Sequence, residues 1–179
     1  MISIWSTLLV ALLSSGSALI GGLMTNRATE KRLEIQSKLE SKREGYRNKL
    51  IKAEEVYASI LKFKLMVFKM HMDWVAVSKG NLSLNEMNKR ALEHSEEHDA
   101  IMLNSMLGIY FPELQKKFNE SRELLKPANQ CFFKIKDVTS LSNEEKSNFV
   151  NIILDAGSKF DKSIDNILLE LSRDVSTDF

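Results

Sequence analysis

The chain has 179 residues, of which 44% are hydrophobic and 27% are charged, and only two are prolines and seven glycines. This length supports one folded domain plus an appendage, and so little proline and glycine excludes a fold of many short strands. The net charge of +1 provides no overall field that would attract nucleic acid, and one cysteine excludes an internal disulfide framework. We therefore predict an all-α protein with long helices and no nucleic-acid partner.

The first segment, residues 1–26, contains no charged side chain. As a helix, the stretch from Ile2 to Met24 would be about 35 Å long, which is enough to cross a hydrocarbon core of about 30 Å. We predict a transmembrane anchor over residues 1–26. The alternative is a cleaved signal peptide with LLVALL as its apolar region and Gly16-Ser17-Ala18 as its cleavage site, although no basic side chain precedes that region.

Small residues recur at helical spacing inside the predicted anchor. One face carries Ser14, Ala18 and Gly22, with Ser17 and Gly21 beside them. Faces of this kind let two membrane helices approach closely, so they predict an anchor packing face and self-association. The same residues are also simply common in membrane helices, and the sequence leaves both interpretations open.

The next segment, residues 27–52, is basic. It contains nine Lys and Arg residues and four Glu, so its net charge is +5 and the rest of the chain has a net charge of −4. The positive-inside tendency predicts that the N-terminus lies outside and that everything after Asn26 is cytoplasmic. We expect a membrane and lipid collar that contacts anionic headgroups and consists of Arg27, Lys31, Arg32 and Lys38.

The remaining sequence predicts four helices. The first continues without proline from the basic segment to about Lys79, and Ser83 and Glu86 form a capping box that begins the second, which runs to about Gly108. Pro112 begins the third, which Pro127 should break, and a second capping box at Ser142 begins the last. The expected fold is an antiparallel four-helix bundle over residues 53–179, set on a charged helical stalk over residues 27–52.

Apolar stripes in the third and last helices predict the core. The third helix has apolar or small residues in alternating steps of four and three, and the last has a similar stripe. The predicted core positions are Leu114, Phe118, Ser121, Leu125, Ala128, Phe132 and Ile135, followed by Phe149, Ile153, Ala156, Phe160, Ile164, Ile167 and Leu171.

One short motif, HSEEH at residues 94–98, has the spacing of a zinc site. Two histidines one helical turn apart share a face, and His94, Glu97 and His98 match the inverted zinc-peptidase pattern. A tight turn near Asn81 would bring His71 close enough to supply a third nitrogen. The alternative is that these histidines are partly buried and hydrogen-bonded, and the chain has no room for the large α/β domain of those enzymes.

Other catalytic patterns are missing from the sequence. It has no glycine-rich phosphate loop, no G-x-S-x-G turn, no paired cysteines and no Glu-x-x-His pair of the kind that binds di-iron centres. Cys131 lies on an apolar face and is expected to be buried rather than nucleophilic. We therefore predict a non-catalytic protein without a cofactor.

An uncharged N-terminal span, the basic helix KREGYRNKL and the segment MLGIYFPEL together resemble a loose group of uncharacterised bacterial single-span membrane-anchored helical proteins. The resemblance covers most of the chain and implies a location in the bacterial inner membrane but no activity. The expected function is a membrane-tethered scaffold or regulatory module that binds a protein partner or forms a homo-oligomer, in part through a coiled coil. The alternatives are a membrane-perturbing effector of the defence or lysis type and, third, a zinc-dependent enzyme.

Overall fold

The computed structural model describes the backbone of residues 2–96, 99–135 and 141–176, and the side chains of residues 21–95, 99–134 and 141–176. These residues form six helices and no strand: α1 (Ile2–Ser78), α2 (Leu84–Glu96), α3 (Ala100–Tyr110), α4 (Pro112–Glu123), α5 (Lys126–Ile135) and α6 (Asn143–Ser176). The all-α class predicted from the sequence is therefore confirmed.

The chain divides into two compact units, residues 1–47 and residues 48–179. Helix α1 contributes to both units, whereas the other five helices belong to the second. The division into an anchor, a stalk and a bundle stays a prediction. Within the part of the chain that the structure describes, no helix is long and apolar enough to cross a membrane. The side chains of residues 1–20, most of the predicted anchor, lie outside that part.

The ends of the helices follow local sequence signals. Gly80 adopts a φ of 75°, a left-handed conformation that favours glycine, and its N–H bonds to the carbonyl of Val77, so α1 ends there. Both predicted capping boxes form. The Ser83 and Ser142 hydroxyls accept hydrogen bonds at 3.2 Å from the backbone N–H groups of Glu86 and Glu145, respectively.

The predicted second helix is wrong in one respect, because it is broken into α2 and α3. Asp99 lies between them with an extended backbone and accepts a hydrogen bond at 2.8 Å from the N–H of Met102. An aspartate in this position satisfies a free donor of a new helix, so it begins α3 instead of continuing α2. The predicted break near Pro127 is confirmed, since α4 ends at Glu123 and α5 begins at Lys126.

The second unit is a helical bundle in which α1 and α4 both run antiparallel to α6. On α1 and α6, Lys64 bonds to Asp161 and Asp165, whereas Trp74 lies in one core cluster with Phe149 and Ile153. Residue numbers thus rise on α1 as they fall on α6. On α4 and α6 the order is also opposite, since Lys117 pairs with Glu170 and Ser121 with Ser163.

The core of the bundle contains the predicted stripes. The α6 residues from Phe149 to Leu171 in the predicted stripe are all buried, and so are the stripe residues from Leu114 to Ala128 in α4, in α5 and in the turn between them. Phe63 of α1 packs between Phe118 and Phe160, with ring centroids 5.3 and 5.9 Å away. Phe132 is only partly buried and stacks on Trp74, and the side chain of Ile135 lies outside the described residues.

Candidate interaction surfaces and histidine sites

The predicted zinc ligands do not form a cluster in the described part of the chain. His94 Nε2 lies 3.2 Å from Asp73 Oδ2, and Arg90 Nη1 lies 3.2 Å from Asp73 Oδ1. His98 and Glu97 lie outside the described residues. Among the described residues there is no group of three His, Cys, Asp or Glu that could hold a metal ion. The zinc hypothesis stays a prediction, and zinc analysis of the purified chain with His94→Ala as a control would test it.

Asp73 is the acidic residue around which α1 and α2 are joined. It is only 8% exposed, and its two carboxylate oxygens take Arg90 and His94 as partners. Two partners offset part of the cost of burying this charge. Sequence reasoning missed Asp73. The signal was its position inside the apolar stretch FKLMVFKMHMDWVAV, where a carboxylate needs a polar partner.

His71 lies elsewhere on α1 and has a different environment. It is 4% exposed, and its ring centroid lies 5.0 Å from that of Trp74. None of the hydrogen bonds or ion pairs in the described residues involves it. Burial lowers the pKa of His71 from 6.5 to about 4, because the charged ring would lose its hydration. His71 is therefore a neutral ring at pH 7.

Cys131 is the chain's single thiol and is buried, as predicted. It belongs to the core cluster that contains Trp74, Met87 and Phe149. Burial raises the pKa of the Cys131 thiol, although Lys134 acts in the opposite direction. A higher pKa keeps this cysteine protonated and makes it a poor nucleophile.

The predicted collar residues Arg27, Lys31, Arg32 and Lys38 are all exposed on α1. Lys38 Nζ lies 2.6 Å from the carboxylate of Glu34, one helical turn away. Of the anchor packing face, Gly21 and Gly22 are exposed, and among the described residues no side chain other than those of their chain neighbours lies within 4 Å of a Cβ placed on either. The side chains of Ser14, Ser17 and Ala18 lie outside the described residues.

The first unit also carries an apolar feature that sequence reasoning missed, which we call the stalk stripe. It lies on one face of α1 and consists of Met24, Ala28, Ile35, Leu39 and Tyr46. Tyr46 is half-buried, and the other four residues are exposed. Ile35 and Tyr46 follow Met24 at intervals of eleven residues, and Leu39 follows Ala28 at the same interval. Eleven residues make three helical turns, so this spacing was the signal that could have revealed the stripe.

Charges in the first unit are segregated around the stalk stripe. At about 100° of rotation per residue, six of the seven basic residues of the first unit lie within about 90° of the centre of the stripe, and the seventh, Arg47, lies about 110° from it. The acidic residues all lie farther round, more than about 100° from it. The six are Arg27, Lys31, Arg32, Lys38, Lys42 and Arg43, and the acidic residues are Glu30, Glu34, Glu40 and Glu44. One face of this helix is therefore apolar with basic borders, and the opposite side carries the four glutamates together with the exposed Leu33.

The second unit has exposed apolar residues of its own. On α3, Ile101 and Ile109 are 81% and 73% exposed, whereas Leu103, Met106 and Leu107 of the same helix are buried. Ile101 and Ile109 are eight residues apart, so they lie on one face of α3. Helix α3 is apolar on two faces, and only one of them packs into the core.

Comparisons with known proteins assign no family to the chain. No protein-family model matches it, and neither a curated protein nor a solved structure shows a significant match. The resemblance to membrane-anchored helical proteins stays a prediction.

Proposed function

We propose that the protein is a non-catalytic, membrane-tethered helical scaffold or regulatory module. In this proposal residues 1–26 are a single-pass anchor with the N-terminus outside, residues 27–52 are a basic stalk beside anionic headgroups, and residues 53–179 are a cytoplasmic bundle that binds a protein partner. The observation that carries the proposal is the charge segregation around the stalk stripe.

An anionic bilayer surface is the partner that suits this face of the first unit. Apolar side chains such as Ile35 and Leu39 would enter the boundary between headgroups and acyl chains. The basic residues on both borders would extend their charged ends to the phosphates. Each Lys or Arg near the surface would contribute about 1 kcal/mol to the binding free energy. The glutamates lie on the far side, where they would not oppose the negative lipid.

The basic residues also support the proposed orientation. Arg27, Lys31 and Arg32 directly follow the uncharged segment. A basic flank of this kind is typically retained on the cytoplasmic side.

The exposed apolar face of α3 supports a protein partner for the bundle. Neither Ile101 nor Ile109 packs into the core. Removing apolar surface from water is favourable, so a partner that covers these two isoleucines would gain binding free energy. A partner that covers this face would bury apolar area without disturbing Leu103 or Leu107, which already belong to the core.

The proposed topology is tested by fusing the C-terminus of the full chain to a reporter active only in the cytoplasm and, separately, to one active only outside. We expect a cytoplasmic, membrane-retained C-terminus. A triple variant with Arg27, Lys31 and Arg32 changed to Glu should move a large share of the C-termini outside. The matched control changes three exposed basic residues of α6, Lys159, Lys162 and Arg173, to Glu and should keep the wild-type topology.

Two outcomes would contradict the proposal. A C-terminus that is soluble or exported in the wild-type chain would show that residues 1–26 are not an anchor of this orientation. Rapid depolarisation of the host membrane on expression, dependent on residues 1–26, would favour the membrane-perturbing effector instead.

A further inference from the structure

A groove runs between α1 and α6 in the second unit, and it has a volume of about 390 Å³. This lies within the range typical of small-molecule sites, about 300–1,000 Å³. Its walls are mainly apolar and come from both helices: Val67, Phe68, Met72, Ile153, Leu154 and Phe160. The groove can therefore accept an apolar body of the size of one or two rings.

The buried imidazole of His71 also lines this groove. Its side chain is more than nine-tenths buried, and no hydrogen-bond partner for it exists among the described residues. Buried polar groups in folded proteins almost always have a partner, in the protein or in a bound molecule. An imidazole without a protein partner, at the wall of an open groove, points to a partner that enters from outside.

Gly157 explains how His71 fits against α6. A Cβ at this position would lie 3.0 Å from Nδ1 of His71, which is tighter than an ordinary contact. The absence of a side chain at Gly157 therefore leaves room for the polar ring at the groove. A larger residue would displace the imidazole from its place between the two helices.

The charges around the groove favour an uncharged ligand. Lys64 lines it, but its Nζ already lies 2.9 Å from Asp161 and 2.6 Å from Asp165. Burial lowers the pKa of Lys64, but hydrogen bonds to Asp165 and Asp161 outweigh that effect, so its pKa is raised and the ion pairs persist at pH 7. His71 itself is neutral. Lys64 balances one of the two carboxylates, and the remaining negative charge is shared by Asp161 and Asp165, whose side chains are more than half exposed to solvent. This charge disfavours an anionic ligand, and solvent screens its attraction for a cation.

We propose that the α1–α6 groove binds a small neutral molecule with a ring-sized apolar body and one hydroxyl or N–H group, which hydrogen-bonds to the His71 imidazole. This site is separate from the stalk stripe and from the α3 face, so it goes beyond the proposed scaffold function.

The test uses the full chain in lipid nanodiscs, with ¹³C-labelled histidine and two probes, phenol and toluene. The chain has three histidines, so the labelled rings give three signals, and the one lost in His71→Phe belongs to His71. We expect phenol to shift the His71 signal saturably and to bind about fivefold or more tightly than toluene, which has the same ring without the hydroxyl. The His94 signal should not move, which excludes a general effect of the probe in the lipid.

Matched variants on α6 locate the binding. Leu154→Trp fills the mouth of the groove from a position 46% exposed and should abolish the phenol shift. Leu169→Trp, at a position 50% exposed on the same helix and outside the groove lining, should leave it unchanged. In His71→Phe combined with Trp5→Phe, which leaves Trp74 as the single tryptophan, phenol and toluene should bind with equal affinity, measured by the quenching of tryptophan fluorescence.

Three results would overturn the proposal, and in the first two the binding is measured on the wild-type chain. One is a His71 signal that phenol does not shift saturably. Another is equal affinity for phenol and toluene in the wild-type chain. The last is phenol binding that survives Leu154→Trp.

Discussion

At the residue scale, the two described histidines show what a local motif leaves out. HSEEH attracts attention because its spacing fits zinc, yet His94 bonds to Asp73, a residue 21 positions away that no local motif connects to it. His71 has no motif around it, and its importance depends on Gly157 in a helix 86 positions later. Sequence spacing reveals which residues share one helix face, but not which face of another helix lies opposite.

The depressed pKa of His71 should make the protein less stable in acid. The native ring resists protonation until about pH 4, whereas the unfolded ring takes up its proton near pH 6.5. Between these values the unfolded chain binds more protons, so the unfolding free energy should fall as the pH decreases, by roughly 3 kcal/mol in total. Urea unfolding from pH 7 to pH 4 measures this fall. His71→Phe should remove most of it, and an equal fall in both proteins would contradict the explanation.

Asp73 should be more important for stability than any exposed acidic residue. Asp73 is only 8% exposed, and Asp73→Ala leaves Arg90 and His94 without their shared partner. We therefore expect the unfolding free energy to fall by about 1–3 kcal/mol. The control is Asp155→Ala, which removes an exposed pair with Lys159 and should cost less than about 0.5 kcal/mol. Thermal unfolding of both variants compares them, and similar losses would show that Asp73 has no special role.

At the element scale, the helices were predictable where their signals are local. Ser83 and Ser142 fix the starts of α2 and α6 because capping involves residues within one turn, and the α6 stripe is buried as its spacing predicts. The break between α2 and α3 was missed, since Asp99 looks like any polar residue until its carboxylate is seen to accept the N–H of Met102. Ile101 could not be placed either, because an apolar residue beside a helix start can lie on either face.

The capping box at Ser142 gives a direct test of the start of α6. Its hydroxyl accepts the N–H of Glu145, and the Glu145 carboxylate accepts the backbone N–H of Ser142 at 2.8 Å. The hydrogen bonds that Ser142 donates to this carboxylate, first from its backbone N–H and then from its hydroxyl at 2.9 Å, lower the pKa of Glu145. Ser142→Ala should cost about 1 kcal/mol of unfolding free energy. Ser147 is exposed and lies inside the same helix. Ser147→Ala should change the unfolding free energy by no more than a few tenths of a kcal/mol in either direction.

At the scale of the whole molecule, the two units differ in what supports their helices. In the second unit, Val56, Ile60, Val67 and Trp74 of α1 are buried against other helices. In the first unit, every described side chain is exposed except that of Tyr46, so α1 there relies on its own hydrogen bonds. Long helices are stabilised mainly by packing, and the unpacked part should open more readily.

Hydrogen exchange of the full chain should separate the two units. In nanodiscs of zwitterionic lipid, amides of residues 27–45 should exchange much faster than those of residues 56–77. Anionic lipid should slow exchange in residues 27–45 only, because the basic borders of the stalk stripe would then contact headgroups. A variant with Lys38, Lys42 and Arg43 changed to Glu should lose that slowing. Protection that is uniform along α1 in both lipids would contradict this view of the first unit.

The burial of Cys131 has a practical consequence for all of these measurements. Because it is the chain's single cysteine and lies among Trp74, Met87 and Phe149, a thiol reagent can reach it only when the bundle opens. The rate of thiol labelling therefore reports the frequency of core opening in the unaltered protein. A cysteine introduced on the exposed surface would react first, so the native chain is already suited to attaching one probe at one chosen site.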